Sequence, residues 1–365
     1  MVRSKWLAVA LLLGAAPQPT AAQPADVIHF WTSGGESRPV AVFAHEYEKR
    51  GGKWIDDPAV GPQVEIALAM NRIAGGNPPT AMQWQTGAPT RELAQQGLLA
   101  DLDWLAEPGN WNQTLPPLLM QKITVDGHIY SAPVDVHGAN WMFYSTKLAG
   151  VGGSDTYRAV TVEHDAKAAA NSRVEAVFDA MGRLHQYVDA GSPNRKWNDT
   201  LALVETNKAA LMIVGDWAKG DFSAANLTLD KDYGCELAPS TSDAYIMAID
   251  AFAFPKADKP EQIQAQHKLA ELMMDPAVQT QFTLYKGSVP SRLDANIAEL
   301  DRCARMGQQV MALGPSHQLP LVNLVFTPDL YGQYVDLLAQ YWANPSMSAT
   351  DATKKFANII AIAGR

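Results

Sequence analysis

Between residues 26 and 106 the chain repeats one cycle: a short β-branched or aromatic run, a turn, an amphipathic helix, a glycine stop. "DVIHFW" (26–31) reads as a buried strand. In "SRPVAVFAHEYEKRGG" (37–52), Val40, Phe43 and Tyr47 fall at i, i+3 and i+7 before Gly51-Gly52 end the helix. "QVEIALAMNRIAGGNPPTAMQWQ" (63–85) repeats the pattern, with a short strand through Met82 and Trp84, and "TRELAQQGLLADLDWLA" (90–106) adds a helix closed by Gly97. Strands alternating with helices predict a parallel α/β sheet rather than a sandwich.

Beyond residue 126 the pattern changes. "GHIYSAPVDVHGANWMFYST" (127–146) is a long extended run, suited to a strand that crosses between two lobes, and "DAYIMAIDAFAFPK" (243–256) is a second such crossing. Helices are predicted over 171–192 and from Thr200, the latter passing into a strand at 210–214. A helix pair follows over 260–292, ended by Pro290, and two amphipathic helices fill the tail from 328 to 362. No internal repeat is visible.

The first residues bear on the compartment. Arg3 and Lys5 precede "WLAVALLLGAA", and small residues follow up to Gln23, which is the pattern of a cleaved export signal too short to span a bilayer. Cleavage is expected near Ala22, leaving a periplasmic protein. Loss of Arg3 and Lys5 takes the formal charge from −9 to −11, which argues against nucleic acid or anionic membranes as partners. In an oxidising compartment Cys235 and Cys303 read as one disulfide; two buried thiols are the alternative. Their separation lacks the CxxC-type spacing of a metal site, and the scattered histidines lack ligand spacing, so neither a metal nor a cofactor is expected. A mature chain of about 340 residues predicts two lobes.

A set of local patterns then appears in a fixed order: "HFWTSGGE", "GGNPPTAMQWQ", "QQGLLADLDWLA", "APVDVHGANWMFY", "KWND", "LMIVGDWAKGDF", "YGCELAPST", "AIDAFAF" and "YKGSVPSR". Together they span nearly the whole mature chain and resemble the sugar-binding proteins of ABC importers, specifically the glucose/mannose-binding branch of the family 1 solute-binding proteins. The resemblance implies a two-lobed α/β periplasmic-binding-protein fold with a hinge of crossing strands. It also implies a disulfide at Cys235 and Cys303. Residues 23–135 and 249–310 form the expected first lobe, and 136–248 with 311–365 the second.

A pyranose has a C–H face that aromatic rings contact and a rim of hydroxyls that charged groups bind. Trp31 and Trp217 suit the first role; Glu36, Asp250 and Lys286 suit the second. Each lies beside a turn or strand end, where α/β sheets present ligand groups. Gln85 matches the place where the family offers a polar group from its second strand. Asn323 and Trp197 are further candidates, while His137 and Trp141 are assigned to organising the hinge. Each has a plain structural alternative: Trp31 as core, Trp217 as a helix cap, Glu36 as a first-turn acid, Lys286 as a surface lysine. Asp250 is harder to set aside, because a carboxylate inside an apolar strand requires a partner.

Two departures from the family pattern stand out. "KLAGVGGSDTYR" (147–158) joins directly where the family carries several tens of residues of second lobe, so the lobe is shortened near 147–153. Ala248 replaces an amide two residues before Asp250, and Leu324 stands where a histidine is usual, with Asn323 beside it. Each lost partner typically costs about 1–3 kcal/mol when the opposing group stays buried, so ordinary glucose affinity is not expected. The expected function is capture of a carbohydrate by a monomeric binding protein that hands it to membrane permease subunits. A sensory role toward a chemoreceptor reads the same closed form. An exported glycosidase using Glu36 and Asp250 is disfavoured by the absence of a nucleophile elbow, a P-loop or a metal set.

Overall fold

The computed structural model describes residues 23–143, 154–192, 195–206, 208–209, 212–238 and 241–363. The expected signal segment and the shortened stretch at 147–153 lie outside the described residues. So do the first two residues of the strand expected at 210–214.

The first cycles form β1 (Gln23–His29), α1 (Gly34–Lys49), α2 (Pro62–Ala74), β3 (Ala81–Gln83) and α3 (Ala88–Gln95) as the sequence predicts, with an additional strand, β2 (Gly52–Pro58), after α1. The long extended run divides into β4 (Ser131–Gly138) and β5 (Trp141–Phe143). There follow α4 (Ser154–Thr161), α5 (Ser172–Leu184), α6 (Trp197–Glu205), β6 (Met212–Ile213), α7 (Ala218–Ala224) and β7 (Glu236–Leu237). The chain then forms β8 (Tyr245–Ala253), α8 (Pro260–Met273), α9 (Pro276–Lys286), β9 (Val289–Pro290), α10 (Arg302–Met311), β10 (Gln318–Pro320), α11 (Pro328–Ala343) and α12 (Ala349–Ala363).

The large sheet has the order β9-β4-β8-β3-β1-β2, with β10 also beside β8; a small sheet has the order β6-β5-β7. β2, β1 and β3 are parallel, as the alternation predicts, but β8 runs antiparallel to both β3 and β4. The sheet is therefore mixed. A strand that returns from elsewhere in the chain, rather than through a βαβ crossover, is free to enter in the opposite sense. β4 is buried along its whole length and β8 along most of it, so the two central strands carry the middle of the fold.

The main core runs under α1, α8 and α9, around Trp31, Phe43, Tyr47, Phe252 and Phe282. It continues without a break into Trp141, Met212, Phe222 and Leu237 of the small sheet and α7. A separate core joins α4 and α5 to α11 and α12 through Val160, Phe178, Phe326, Leu337, Phe356 and Ile360. Trp141 and residues 201–237 thus pack in the main core, whereas α4 and α5 pack in the separate one. Cys235 and Cys303 are disulfide-bonded, tying β7 to the first turn of α10.

Candidate functional site

α1 starts directly after the turn that leaves β1, which brings Glu36 into its first turn. α9 ends at Lys286 because Gly287 takes the left-handed conformation (φ 86°) that closes a helix. Asp250 comes from the middle of β8, opposite Asp135 of β4, and the register shifts immediately after it. Such an irregularity turns a side chain out of the regular alternation. Three distant segments therefore meet: Lys286 Nζ lies 3.5 Å from Asp250 Oδ2 and 3.7 Å from Glu36 Oε1.

The lysine is buried, at 3% exposure, whereas Asp250 and Glu36 retain 20% and 17%. Burial alone would lower the Lys286 pKa, but Asp250, Glu36 and Asp135 outweigh it and hold the ammonium charged. For Asp250, burial opposes ionisation, and Lys286 with His137 more than compensates, so its pKa falls. Trp31 lies beneath: Nζ of Lys286 sits 4.6 Å from its ring centroid, and Phe252 and Phe282 pack against it. At 1% exposure the indole is closed off from solvent.

Behind Asp250 the network deepens. His137 Nε2 is 3.4 Å from Asp250 and 3.3 Å from Asp135, and its Nδ1 is bonded to Asp216. Asp216 also accepts from the backbone N–H of Gly138 (3.0 Å) and the hydroxyl of Tyr245 (3.1 Å). Burial works against a charged imidazole, yet Asp135 and Asp216 raise the His137 pKa. Burial raises the Asp135 pKa, offset in part by His137. Trp217, half-buried at the start of α7, presents its ring edge-on to His137 at 5.5 Å. The sequence signal for this layer was the "PVDVHG" run of β4: two polar side chains at i and i+2 face the same way from a strand otherwise apolar.

Close backbone approaches fix α7 against α1 and α9. The N–H of Gly35 donates to Asp221 Oδ1 at 2.7 Å, and a Cβ at position 35 would lie 2.5 Å from the Asp221 nitrogen. A Cβ on Gly287 would lie 2.8 Å from the Asp216 carbonyl oxygen. Lys219, buried, is held by Asp301 at 2.9 Å.

The other candidates are placed apart from this group. Gln85 is exposed in the turn after β3, where its carbonyl oxygen accepts from Thr90. That turn abuts Leu324: a Cβ on Gly87 would come within 2.4 Å of the Leu324 carbonyl oxygen. Asn323, half-buried beside it, has an Oδ1 atom with no hydrogen-bond partner. Trp197 begins α6 and packs partly buried against the main core. Ala248 is half-buried opposite His137.

A groove of about 460 Å³ opens between α1 and β2, lined by His29, Trp31, Thr32, Ser37, Trp54 and Asp56 among others. His29 Nδ1 accepts from the Trp31 N–H, so its Nε2 donates to Asp56 Oδ1 at 2.9 Å, and Trp54 Nε1 donates to the same oxygen at 3.1 Å. The carboxylate is thereby fixed by two donors. Trp54 and Asp56 escaped the sequence analysis because "KWIDDP" carries no motif, only an alternation on an edge strand.

A profile of the bacterial extracellular solute-binding proteins matches residues 68–280. A protein of Rhizobium meliloti (strain 1021), named as a probable sugar-binding periplasmic protein, is 31% identical over 353 residues, covering 84% of this chain and 85% of its own. The chain belongs to the bacterial extracellular solute-binding proteins. Its fold is shared with a chitin oligosaccharide-binding protein (TM-score 0.75, 15% identity, 94% of this chain and 100% of that one). It is shared as well with the maltose/maltodextrin-binding domain of Bdellovibrio bacteriovorus bound to maltotriose (TM-score 0.67, 17% identity, 93% and 99%). These are two-lobed binding proteins, and the mixed α/β architecture described above is theirs.

Proposed function

We propose that this chain is the substrate-binding component of an ABC carbohydrate importer, exported to the periplasm on removal of residues 1–22 near Ala22. The observation that carries this reading is sustained identity, over 84% of the chain, to a protein named as a sugar-binding periplasmic protein. Capture and delivery require no bond to break, so the protein is read as a non-catalytic monomer whose partners are a carbohydrate and the permease subunits.

Glu36 and Asp250 are the hydroxyl acceptors, with the half-buried Trp217 as the aromatic contact and Gln85 as a further polar one. Lys286 and Trp31 act from beneath: the lysine fixes the two carboxylates, and the indole faces the lysine. Carboxylates already oriented by a buried cation lose little freedom on binding, which favours directional recognition of hydroxyls. Ala248 and Leu324 supply no polar atom from their side chains where the glucose/mannose branch has an amide and a histidine, so the ligand is a carbohydrate other than glucose. The second lobe is read as shortened near 147–153.

Isothermal titration of the mature protein against mono- and oligosaccharides tests both parts. Saturable binding of at least one sugar, weakened by Asp250→Asn, is expected. Failure across the panel overturns carbohydrate capture; tight glucose binding overturns only the specificity.

A further inference from the structure

We propose that Asp135, His137 and Asp250 form a binding site for a divalent first-row transition ion at the crossing of β4 and β8. One ligand atom from each of the three residues lies within 4.8 Å of the others, a spacing that a single ion between them spans. The residues come from two hydrogen-bonded strands: Asp135 and His137 share a face of β4, and Asp250 stands opposite Asp135 in β8. The donor set is therefore held by the sheet.

The unpaired atoms point to a missing partner. Both carboxylate oxygens of Asp135, the Nε2 of His137 and the hydroxyl of Ser288 are buried with no well-formed hydrogen bond, Nε2 standing at 3.3 Å from Asp135 and 3.4 Å from Asp250. Asp135 and Ser288 are wholly buried, and His137 is 2% exposed. Buried polar groups are nearly always satisfied, so several orphans converging on one spot call for a common partner. Ser288 lies beside Asp135, where its hydroxyl favours the charged carboxylate.

The other imidazole nitrogen is already committed. Nδ1 of His137 is bonded to Asp216, which is itself fixed by Gly138 N–H and Tyr245. A carboxylate on the far nitrogen orients the ring and aims the Nε2 lone pair, as in most histidine metal sites. Charge agrees. Asp135, Asp250 and Glu36 surround the Lys286 ammonium, and Asp216 with Asp135 favours the charged form of His137, so four carboxylates exceed two cationic groups by two charges, and a metal would displace the proton on Nε2. A divalent ion removes part of that excess, while Lys286 keeps Glu36 and the Trp31 face. One imidazole and two carboxylates suit zinc or manganese better than calcium, which prefers six to eight oxygens.

The proposal does not rest on carbohydrate capture, although Asp250 is common to both, so the test uses the metal alone. Mature protein stripped with chelator and dialysed is titrated with zinc chloride and manganese chloride, with calcium chloride as control. Bound metal is counted by elemental analysis and thermal unfolding is followed. One equivalent of zinc or manganese with a raised melting temperature is expected. Asp135→Asn, near-isosteric and outside the proposed sugar contacts, is expected to bind none while keeping its circular dichroism spectrum. Asp216→Asn, acting only through the ring orientation, should weaken binding about 10–100-fold. Substoichiometric binding without a melting shift, or undiminished binding by Asp135→Asn, overturns the proposal. Sugar titration of Asp135→Asn in parallel keeps a failure of the metal site distinct from a failure of the carbohydrate reading.

Discussion

Replacing Lys286 by methionine removes one cation and leaves the volume of the site nearly unchanged. The ammonium is 3% exposed, 3.5 Å from Asp250, 3.7 Å from Glu36 and 4.6 Å from the Trp31 ring centroid. No other lysine or arginine is ion-paired to Asp250 or Glu36 among the described residues. Breaking a buried pair by deleting one partner costs about 3–5 kcal/mol, because the orphaned charge stays desolvated. Partial exposure of Glu36 and Asp250 lets water relieve some of that, so about 3 kcal/mol is the expected loss at pH 7. Urea unfolding should show it as a lower midpoint with an unchanged slope. The loss should shrink in acid. The folded Asp250 pKa is depressed, so the stability it contributes is present above the unfolded carboxylate range and fades as pH falls through the folded value. Without the lysine that contribution is gone, and wild type and variant converge at low pH. Adding Asp250→Asn to Lys286→Met should restore part of the loss, with a coupling of about 1–3 kcal/mol. A Lys286→Met cost below about 0.5 kcal/mol, typical of a surface substitution, would refute the buried-network reading of the site.

Three further perturbations test other parts of the fold. Glu65 is 2% exposed in α2 with an unpaired Oε1, and burial pushes its pKa up to about 8. The folded state therefore holds a proton that the unfolded chain releases near its ordinary value. The resulting stability is complete below pH 4.5 and is lost as pH rises through 8, on the order of 5 kcal/mol. Glu65→Gln should flatten this slope in unfolding midpoints compared at pH 5 and 8.5. Serine at both Cys235 and Cys303 opens a link of sequence separation 68 and should cost about 4 kcal/mol in denaturant unfolding. Gly35→Ala forces a Cβ to within 2.5 Å of the Asp221 nitrogen, so α7 must shift from α1. A loss of about 1–3 kcal/mol in the same assay is expected.

The first-lobe cycle was legible because its signals are local. Val40, Phe43 and Tyr47 mark the buried face of α1, and all three are buried. β2 and α10 were passed over for opposite reasons. "GKWIDDP" is an edge strand in which no residue is fully buried, so its alternation carries little apolar signal. "RCARMGQQVM" buries a small-residue stripe, Cys303, Ala304 and Gly307, that hydrophobic counting overlooks. In the site, Glu36, Asp250 and Lys286 stood out because each interrupts a pattern, and the structure brings all three together. Asp135 and Asp216 were quoted inside motifs without being weighed, since pairing through His137 joins residues 79 positions apart. A metal search by helical spacing also misses them: their geometry is an i, i+2 strand pair completed from a neighbouring strand. The indole of Trp31 was assigned from its place after β1, but the aromatic rings that cover it come from β8 and α9.

The two cores bear on which part of the molecule moves. Glu36 and Trp217 were expected on opposite lobes, yet α7 is pinned to α1 and α9 by backbone approaches at Gly35 and Gly287. Contacts that close allow little rotation, because interfaces packed at backbone distance are not continuously deformable. The body expected to move is the one with its own core, α4 and α5 with α11 and α12. It meets the rest through Tyr157, which packs with Ala244, Ile246 and Leu319 and donates its hydroxyl to the Pro320 carbonyl, through Arg158 on the Ser316 carbonyl, and through the Leu324 turn against Gly87. Closure on a ligand is therefore expected to move Asn323 relative to Gln85 rather than Trp217 relative to Glu36. Hydrogen exchange distinguishes these. Amides of α5, α11 and α12 should open as one cooperative unit below the stability of β4 and β8, and ligand should slow exchange in the 321–326 turn. Protection gained chiefly in α7, with the helical body unchanged, would place the hinge between Trp217 and Glu36 after all.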